Sequence, residues 1–169
     1  MIPEDLEINI ERDLKIINKI LEKNKDLPAM ICFYGGEPLL EPERFLPIIK
    51  ELQKNENIDR IRYMIYTNGE FLARFFKDYP DFARNIWIYA VSIDGDEEQH
   101  NRVRIGTDLR RIKQNLEYVK ENYQGNILMW STLREEQSLF KCFEEFTSLY
   151  NKGLVNHFFW HWLETQEDF

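Results

Sequence analysis

Residues 33–40 read FYGGEPLL, and they follow directly on AMIC at 29–32. The apolar run over 29–34 is too short for a helix and reads as a strand buried on both faces. Gly35 and Gly36 stop it. Neither has a Cβ, so the chain can turn there and its amides and carbonyls can come within contact distance of a ligand. Glu37 adds an anion beside them, placed where an ammonium could be received. A strand ending in this way predicts a binding rim at its carboxyl end, and the fold follows from whether the pattern recurs.

Reading outward, Leu6, Ile10, Leu14, Ile17 and Leu21 recur at three- and four-residue intervals and predict an opening amphipathic helix. After the strand, Glu41, Pro42 and Glu43 suit a helix start ahead of Phe45, Leu46, Ile49 and Leu52. Residues 61–66 predict a second strand closed by TNG at 67–69, and 71–76 a short helix ahead of the Tyr79-Pro80-Asp81 break. Residues 86–93 predict a third strand closed by Asp94 and Gly95, followed by a polar loop, GDEEQHNRVRIGT. Asp108 is the expected cap of a helix carrying Leu109, Ile112, Leu116 and Val119 on one face, ended by Gly125 and Asn126. Residues 127–133 predict a fourth strand; Leu139, Phe143, Phe146 and Tyr150 mark another helix; and 156–163 predict an aromatic fifth strand ahead of a loose tail over 164–169. Strands alternating with helices throughout mean an α/β fold with a parallel sheet of right-handed βαβ units, about five strands and five helices in a single domain over 1–169.

Composition narrows the function. The 169 residues are 43% hydrophobic with a formal net charge of -8, enough apolar content for a core and the wrong charge for a nucleic-acid or anionic-membrane partner. No run of residues is long and apolar enough to span a bilayer, and the acidic start MIPEDLEINIERD is unlike a secretory leader, so a cytoplasmic protein is expected. The two cysteines, Cys32 and Cys142, read as buried apolar side chains with no disulfide framework or structural zinc site. No Ser-His-Asp order, dinucleotide fingerprint or phosphate-binding loop is visible.

In parallel α/β sheets the ligand lies at the carboxyl ends of the strands. Here three successive strands end alike, in GGE at 35–37, TNGE at 67–70 and SIDGDE at 92–97. One such ending is an ordinary βα turn with acids at the next helix start; three in series argue for a shared site. The ordered set resembles the radical S-adenosylmethionine enzymes: YGGEPLL is similar to their GGE motif, TNG to the end of their third barrel strand, and SIDG with His100 and Arg104 to their fourth-strand motif. The resemblance spans nearly the whole chain. It implies a partial (β/α)6 TIM-like barrel with this chain supplying strands two to six and the first strand missing. Its nearest likeness is to the peptide-modifying group, whose aromatic sixth strand is comparable to HFFWHWL at 157–163.

Carried over by position, the carbonyls of Gly35 and Gly36 and the carboxylate of Glu37 would receive the methionine ammonium of S-adenosylmethionine. Ser92 and Asp94 would lie near its ribose, Asn68 would face the same cavity, and Arg104 would meet a carboxylate of cofactor or substrate unless it is a solvated loop charge. The family's chemistry, by a 5'-deoxyadenosyl radical, also needs a CxxxCxxC loop after the first barrel strand to hold a [4Fe-4S] cluster. Cys32 and Cys142 do not imitate that loop. The chain is therefore expected to be catalytically silent alone, with no catalytic or metal-ligating residues of its own: either the core of a longer radical enzyme acting on a peptide or small molecule, the reading favoured by its start at a helix, or a degenerate cluster-free binding or scaffold module.

His157 and His161, four apart, share one face but lack a third metal ligand, and the surrounding aromatics make them part of a cavity wall or interface. His100 is read as a hydrogen-bonding strut rather than a proton carrier, and Asp96, Glu97 and Glu98 as a solvated face. The edge of 29–34, unpaired if the first strand is absent, predicts self-association or a covering N-terminal segment.

Overall fold

A computed structural model of the protein describes residues 9–163. The chain starts with α1 (Ile10–Lys23), capped by Asn9, whose side chain accepts from the Arg12 amide, with Glu11 and Asp13 at its positive end. Leu6 lies outside the described residues. The elements that follow are β1 (Ala29–Phe33), two single 3-10 turns, α2 (Leu46–Leu52), a third 3-10 turn, β2 (Ile61–Thr67), α3 (Leu72–Asp78), α4 (Pro80–Asn85), β3 (Ile88–Ser92), α5 (Glu97–Val103), α6 (Leu109–Asn122), β4 (Asn126–Leu133), α7 (Leu139–Asn151) and β5 (His157–Trp162).

The five strands form one parallel sheet in the order β1-β2-β3-β4-β5. This order distinguishes a barrel segment from a doubly wound sheet, whose strand order reverses at a switch point. With every crossover right-handed, the helices fall on one face. That face is the main core: Tyr63, Ile65, Tyr89, Val91, Ile127 and Met129 from the strands meet Leu72, Phe75, Leu109, Ile112, Leu116 and Val119 from the helices. Each fully buried aliphatic side chain stabilises the fold by about 2 kcal/mol. The opposite, concave face alternates with it along each strand and holds a smaller cluster of Met64, Ile88 and Ala90, bordered by Tyr66, Leu128 and Trp130.

Several expectations are revised or refined. The strand at 29–33 is not buried on both faces: it pairs only with β2 among the described residues, so Met30 and Cys32 are exposed. Cys32 is thus not a core thiol, whereas Cys142 is. Pro80 is not merely a break, because its fixed φ suits a first helical turn and it opens α4. The polar loop after SIDG contains α5, since Asp96 accepts from the Gln99 amide and Glu97 and Glu98 favour the helix start. In α7 the buried face is Cys142, Glu145 and Leu149; Phe143 and Tyr150 lie outward, where Phe146 packs against Tyr150 and, at 5.1 Å, against Phe158. Counting α4 and α5, there are seven α-helices among the described residues rather than about five.

Among the described residues the outer edge of β1 is unpaired, and such an edge offers backbone groups to another chain. Light scattering is expected to give a mass above that of one 20.6 kDa chain, and Met30→Lys, which places a charge on that edge, to return it to a single chain. A strictly monomeric wild-type chain contradicts this.

Candidate functional site at the strand tips

The carboxyl ends of β1, β2, β3 and β4 lie side by side, as parallel pairing requires, and three acidic side chains lace them together. Glu37 joins β1 to β2: its Oε1 accepts from the Leu39 amide at 3.0 Å and the Thr67 hydroxyl at 2.7 Å, and its Oε2 from the Asn68 amide at 2.6 Å. Burial raises the Glu37 pKa from its ordinary value, and these three hydrogen bonds oppose the rise. Glu70 joins the β2 tip to α6, accepting from the Asp108 amide at 2.6 Å while Arg111 stands 3.0 Å away. Gly69, at φ +85, packs so closely that a Cβ there would come within 2.9 Å of both Val91 and Ile112.

Asp94 is the third and the most deeply buried, with no exposed surface. Arg104 grips it with both prongs, Nε at 2.7 Å and Nη2 at 3.3 Å. The Thr132 amide donates at 2.8 Å and Arg134 approaches at 3.4 Å. Arg104 is therefore not a solvated loop charge, and the carboxylate it meets is the chain's own. One carboxylate between two guanidiniums leaves a surplus positive charge at the tips of β3 and β4.

His100 is a strut, fully buried in α5. The Asp94 amide donates to its Nδ1 at 3.1 Å, so the proton of the neutral ring sits on Nε2, which faces the Thr107 hydroxyl at 3.0 Å. Burial pulls its pKa down to about 4, with Asp94 opposing and Arg104 assisting. Asp96 and Glu98 are not purely solvated: Lys141 lies 2.9 Å from the first and 3.5 Å from the second, and Arg110 is 2.9 Å from Glu97.

What remains open at the rim is backbone and hydroxyl. Gly35 and Gly36 take φ +100 and +57, and nothing lies within 4 Å of where a Cβ would stand on either. Both are exposed. The half-buried Ser92 ends β3 with no side-chain hydrogen bond among the described residues, and the Asn68 carbonyl accepts from the Glu70 amide at 2.9 Å, leaving its NH2 available. A bare double-glycine turn beside unused polar groups lets a polar ligand approach the backbone closely. The residues do not fit a [4Fe-4S] cluster: Cys32 lies on the concave face at the sheet edge and Cys142 under α7 beside Gln99, on the opposite face. Among the described residues no group of three metal-ligating side chains occurs.

The concave floor below the tips is aromatic. Tyr34 meets Tyr66 edge-on at 5.1 Å, Tyr66 meets Trp130 at 5.1 Å, and Trp130 meets Phe159 at 4.4 Å. Tyr66 and Trp130 belong to strands on either side of β3 and touch across it because β3 presents only Ala90 and Ser92 there. His157 pairs with Asn126 and His161 with Trp130 and Thr132, so the two histidines serve separate contacts in the wall. Arg134 and Thr132 were not anticipated as rim residues, although TLR at 132–134 ends a strand just as the other three motifs do. A groove of about 1000 Å³ lies at the other end of the sheet, near Arg62, Trp87 and Asn126, away from these groups.

Two sets of measurements follow. In urea unfolding, Asp94→Asn is expected to cost about 1–3 kcal/mol by leaving two partly exposed guanidiniums without their anion, and Glu37→Gln about 1–3 kcal/mol by turning an amide donor toward a donor. Because His100 stays neutral in the native state down to about pH 4 while the unfolded chain takes up a proton near pH 6.5, stability is held above pH 6.5 and lost as pH falls toward 4. The expected loss between pH 7.5 and 5 is about 2 kcal/mol, and His100→Asn, which keeps an acceptor for the Asp94 amide, should flatten that part of the profile.

No family model matches the chain. A curated protein, the serine-type anaerobic sulfatase-maturating enzyme of Bacteroides thetaiotaomicron (strain VPI-5482), is 33% identical over 91 residues, which are 53% of this chain and 22% of that protein. Among solved structures, anSMEcpe with bound AdoMet and the Cp18Cys peptide superposes with a TM-score of 0.58 at 18% identity over 86% of this chain and 40% of that one. The same enzyme with AdoMet alone gives 0.56 at 19% identity over 84% and 39%. The chain thus spans about a fifth of the curated relative and two fifths of the solved chains, and the structural likeness establishes the fold. Motif order, the partial sequence match and the shared fold all agree with the resemblance drawn from the strand ends.

Proposed function

We propose that this chain is the S-adenosylmethionine-binding core of a cytoplasmic radical enzyme that modifies a peptide. The observation that carries this is the open, positive-φ double glycine at the tip of β1, held in line with Ser92 and Asn68 by the Glu37 and Asp94 contacts. In this reading the Gly35 and Gly36 carbonyls bind the methionine ammonium. Ser92 hydrogen-bonds to the ribose, and Asn68 closes the cavity between them. Glu37 and Asp94 act one step back, as braces of the rim, and Glu37 keeps lone-pair capacity toward the ammonium, since a carboxylate offers about four acceptor sites and three are in use. Arg104 and Arg134 supply the local positive charge that receives a carboxylate. A peptide substrate is supported by the peptide bound to the structural neighbour anSMEcpe.

When a cluster and the cofactor are bound, they supply a carbon-centred radical for hydrogen abstraction. Since the residues of this chain do not fit a cluster, its ligands belong to residues outside this sequence, and the chain alone binds without turnover. The placement of Cys32 and Cys142 on opposite faces also favours a second reading, a cluster-free binding module that kept the fold.

Calorimetry with S-adenosylmethionine tests the first reading. The wild-type chain is expected to bind, and Gly36→Val, which forces a β-branched residue into a left-handed conformation at the cradle, to weaken binding about tenfold or more while its melting temperature stays within a few degrees. Ser92→Ala is expected to weaken it by a smaller factor. No heat with either S-adenosylmethionine or peptides would leave a structural module as the function.

A further inference from the structure

The rim accounts for three strand-tip motifs, but it leaves one polar group of the concave wall without a task. His161, half-buried on β5, stands where two donors converge on the same ring nitrogen. The Trp130 indole N–H, which can only donate, is 3.0 Å from His161 Nε2. The Thr132 hydroxyl is also 3.0 Å from Nε2, and since Arg104 Nη2 donates to that hydroxyl oxygen at 3.5 Å, its hydrogen is free to point at the histidine. Nε2 must therefore carry the lone pair, and the proton of the neutral ring is on Nδ1. Among the described residues Nδ1 has no acceptor. A tautomer fixed from one side, with its remaining N–H unused amid aromatic surface, is the arrangement expected of a donor kept for a ligand.

We propose that His161 is a specificity-determining residue of the concave face, which donates from Nδ1–H to a main-chain carbonyl of a bound peptide while an apolar side chain of that peptide rests on Phe159. The Phe159 side chain is 45% exposed and packs, tilted, at 4.4 Å against Trp130, so it forms a fixed apolar ledge adjoining the donor. The small side chains of Ala90 and Ser92 keep the floor low beside it. A peptide carbonyl is the complementary group, because the site offers a single neutral donor flanked by apolar faces, which suits an uncharged acceptor better than a carboxylate. Trp130 and Thr132 are positioning residues in this scheme, acting only through the imidazole. The inference rests on the peptide-modifying reading, and it connects the two halves of the site through the hydrogen-bonded series Asp94, Arg104, Thr132, His161.

The test uses the 169-residue chain on an array of immobilised linear peptides, with the sequences retained by the wild type then titrated by calorimetry. His161→Asn places an amide N–H near the Nδ1 position and is expected to keep affinity within about threefold, whereas His161→Gln, whose amide falls near Nε2, and His161→Leu are expected to lose about tenfold or more. Nitrogen-15 spectra of the imidazole should show Nδ1 protonated in the wild type and a mixture of tautomers in Trp130→Phe, with peptide affinity falling in proportion. Equal losses in the Asn and Leu variants, a wild type that retains no peptide, or a protonated Nε2 would each overturn the proposal. Titration with S-adenosylmethionine reports on the rim alone: binding of the cofactor without peptide rejects the role of His161 and spares the cradle, and peptide binding without the cofactor does the reverse.

Discussion

The buried carboxylate of Asp94 is the constraint on which the rest of the carboxyl rim depends. An ionised carboxylate without solvent contact is tolerated only where other groups neutralise and solvate it, and here two guanidiniums and the Thr132 amide assemble for that purpose, while His100 and Gln99 engage the Asp94 backbone amide and carbonyl. Those partners come from α5, the loop behind it, and the tip of β4. Satisfying one charge therefore fixes the relative positions of three chain segments. Gln99 extends the same network to the start of α7, where it bonds both the amide and the carbonyl of Ser138. Glu37 does for β1 and β2 what Asp94 does for β3 and β4.

These contacts change the meaning of the acidic residues in the strand-end motifs. From the sequence, Glu37 and Asp94 read as groups facing a ligand. In the folded chain their oxygens are largely engaged by protein donors, and the surface they expose is that of the glycines, Ser92 and the aromatic floor. The division is physically sensible. A binding rim built from backbone and hydroxyls is precise only if something rigid holds it, and charge-assisted hydrogen bonds in a low dielectric are among the stiffest ties available.

Much of this was legible beforehand. The alternation of apolar runs with amphipathic periodicity revealed all five strands and the parallel sheet, because burial on the helix side demands it; Leu109, Ile112, Leu116 and Val119 lie in the core as their spacing requires. The errors have particular causes. Residues 97–103 looked like a loop because their charge concealed a capping pattern, with Asp96 three residues ahead of Gln99. In β1, Met30 and Cys32 looked buried because apolar character does not reveal that a strand is at an edge. Phe143 and Tyr150 marked α7 correctly, although as aromatics they pack along its flank while smaller residues enter the core. The role of Arg134 could not be assigned, since its partner Asp94 is 40 residues away in sequence and meets it only once β3 and β4 pair.

The charge of the chain is also unevenly spread. A formal net charge of -8 makes the far field one that repels anions, yet the tips of β3 and β4 hold an unbalanced guanidinium. A small anion would feel repulsion at long range and attraction on contact, so raising the ionic strength should quicken its capture by shortening the reach of the former while leaving the half-buried guanidinium largely unscreened. A molecule of net positive charge meets no such conflict at long range, because the outer field draws it in.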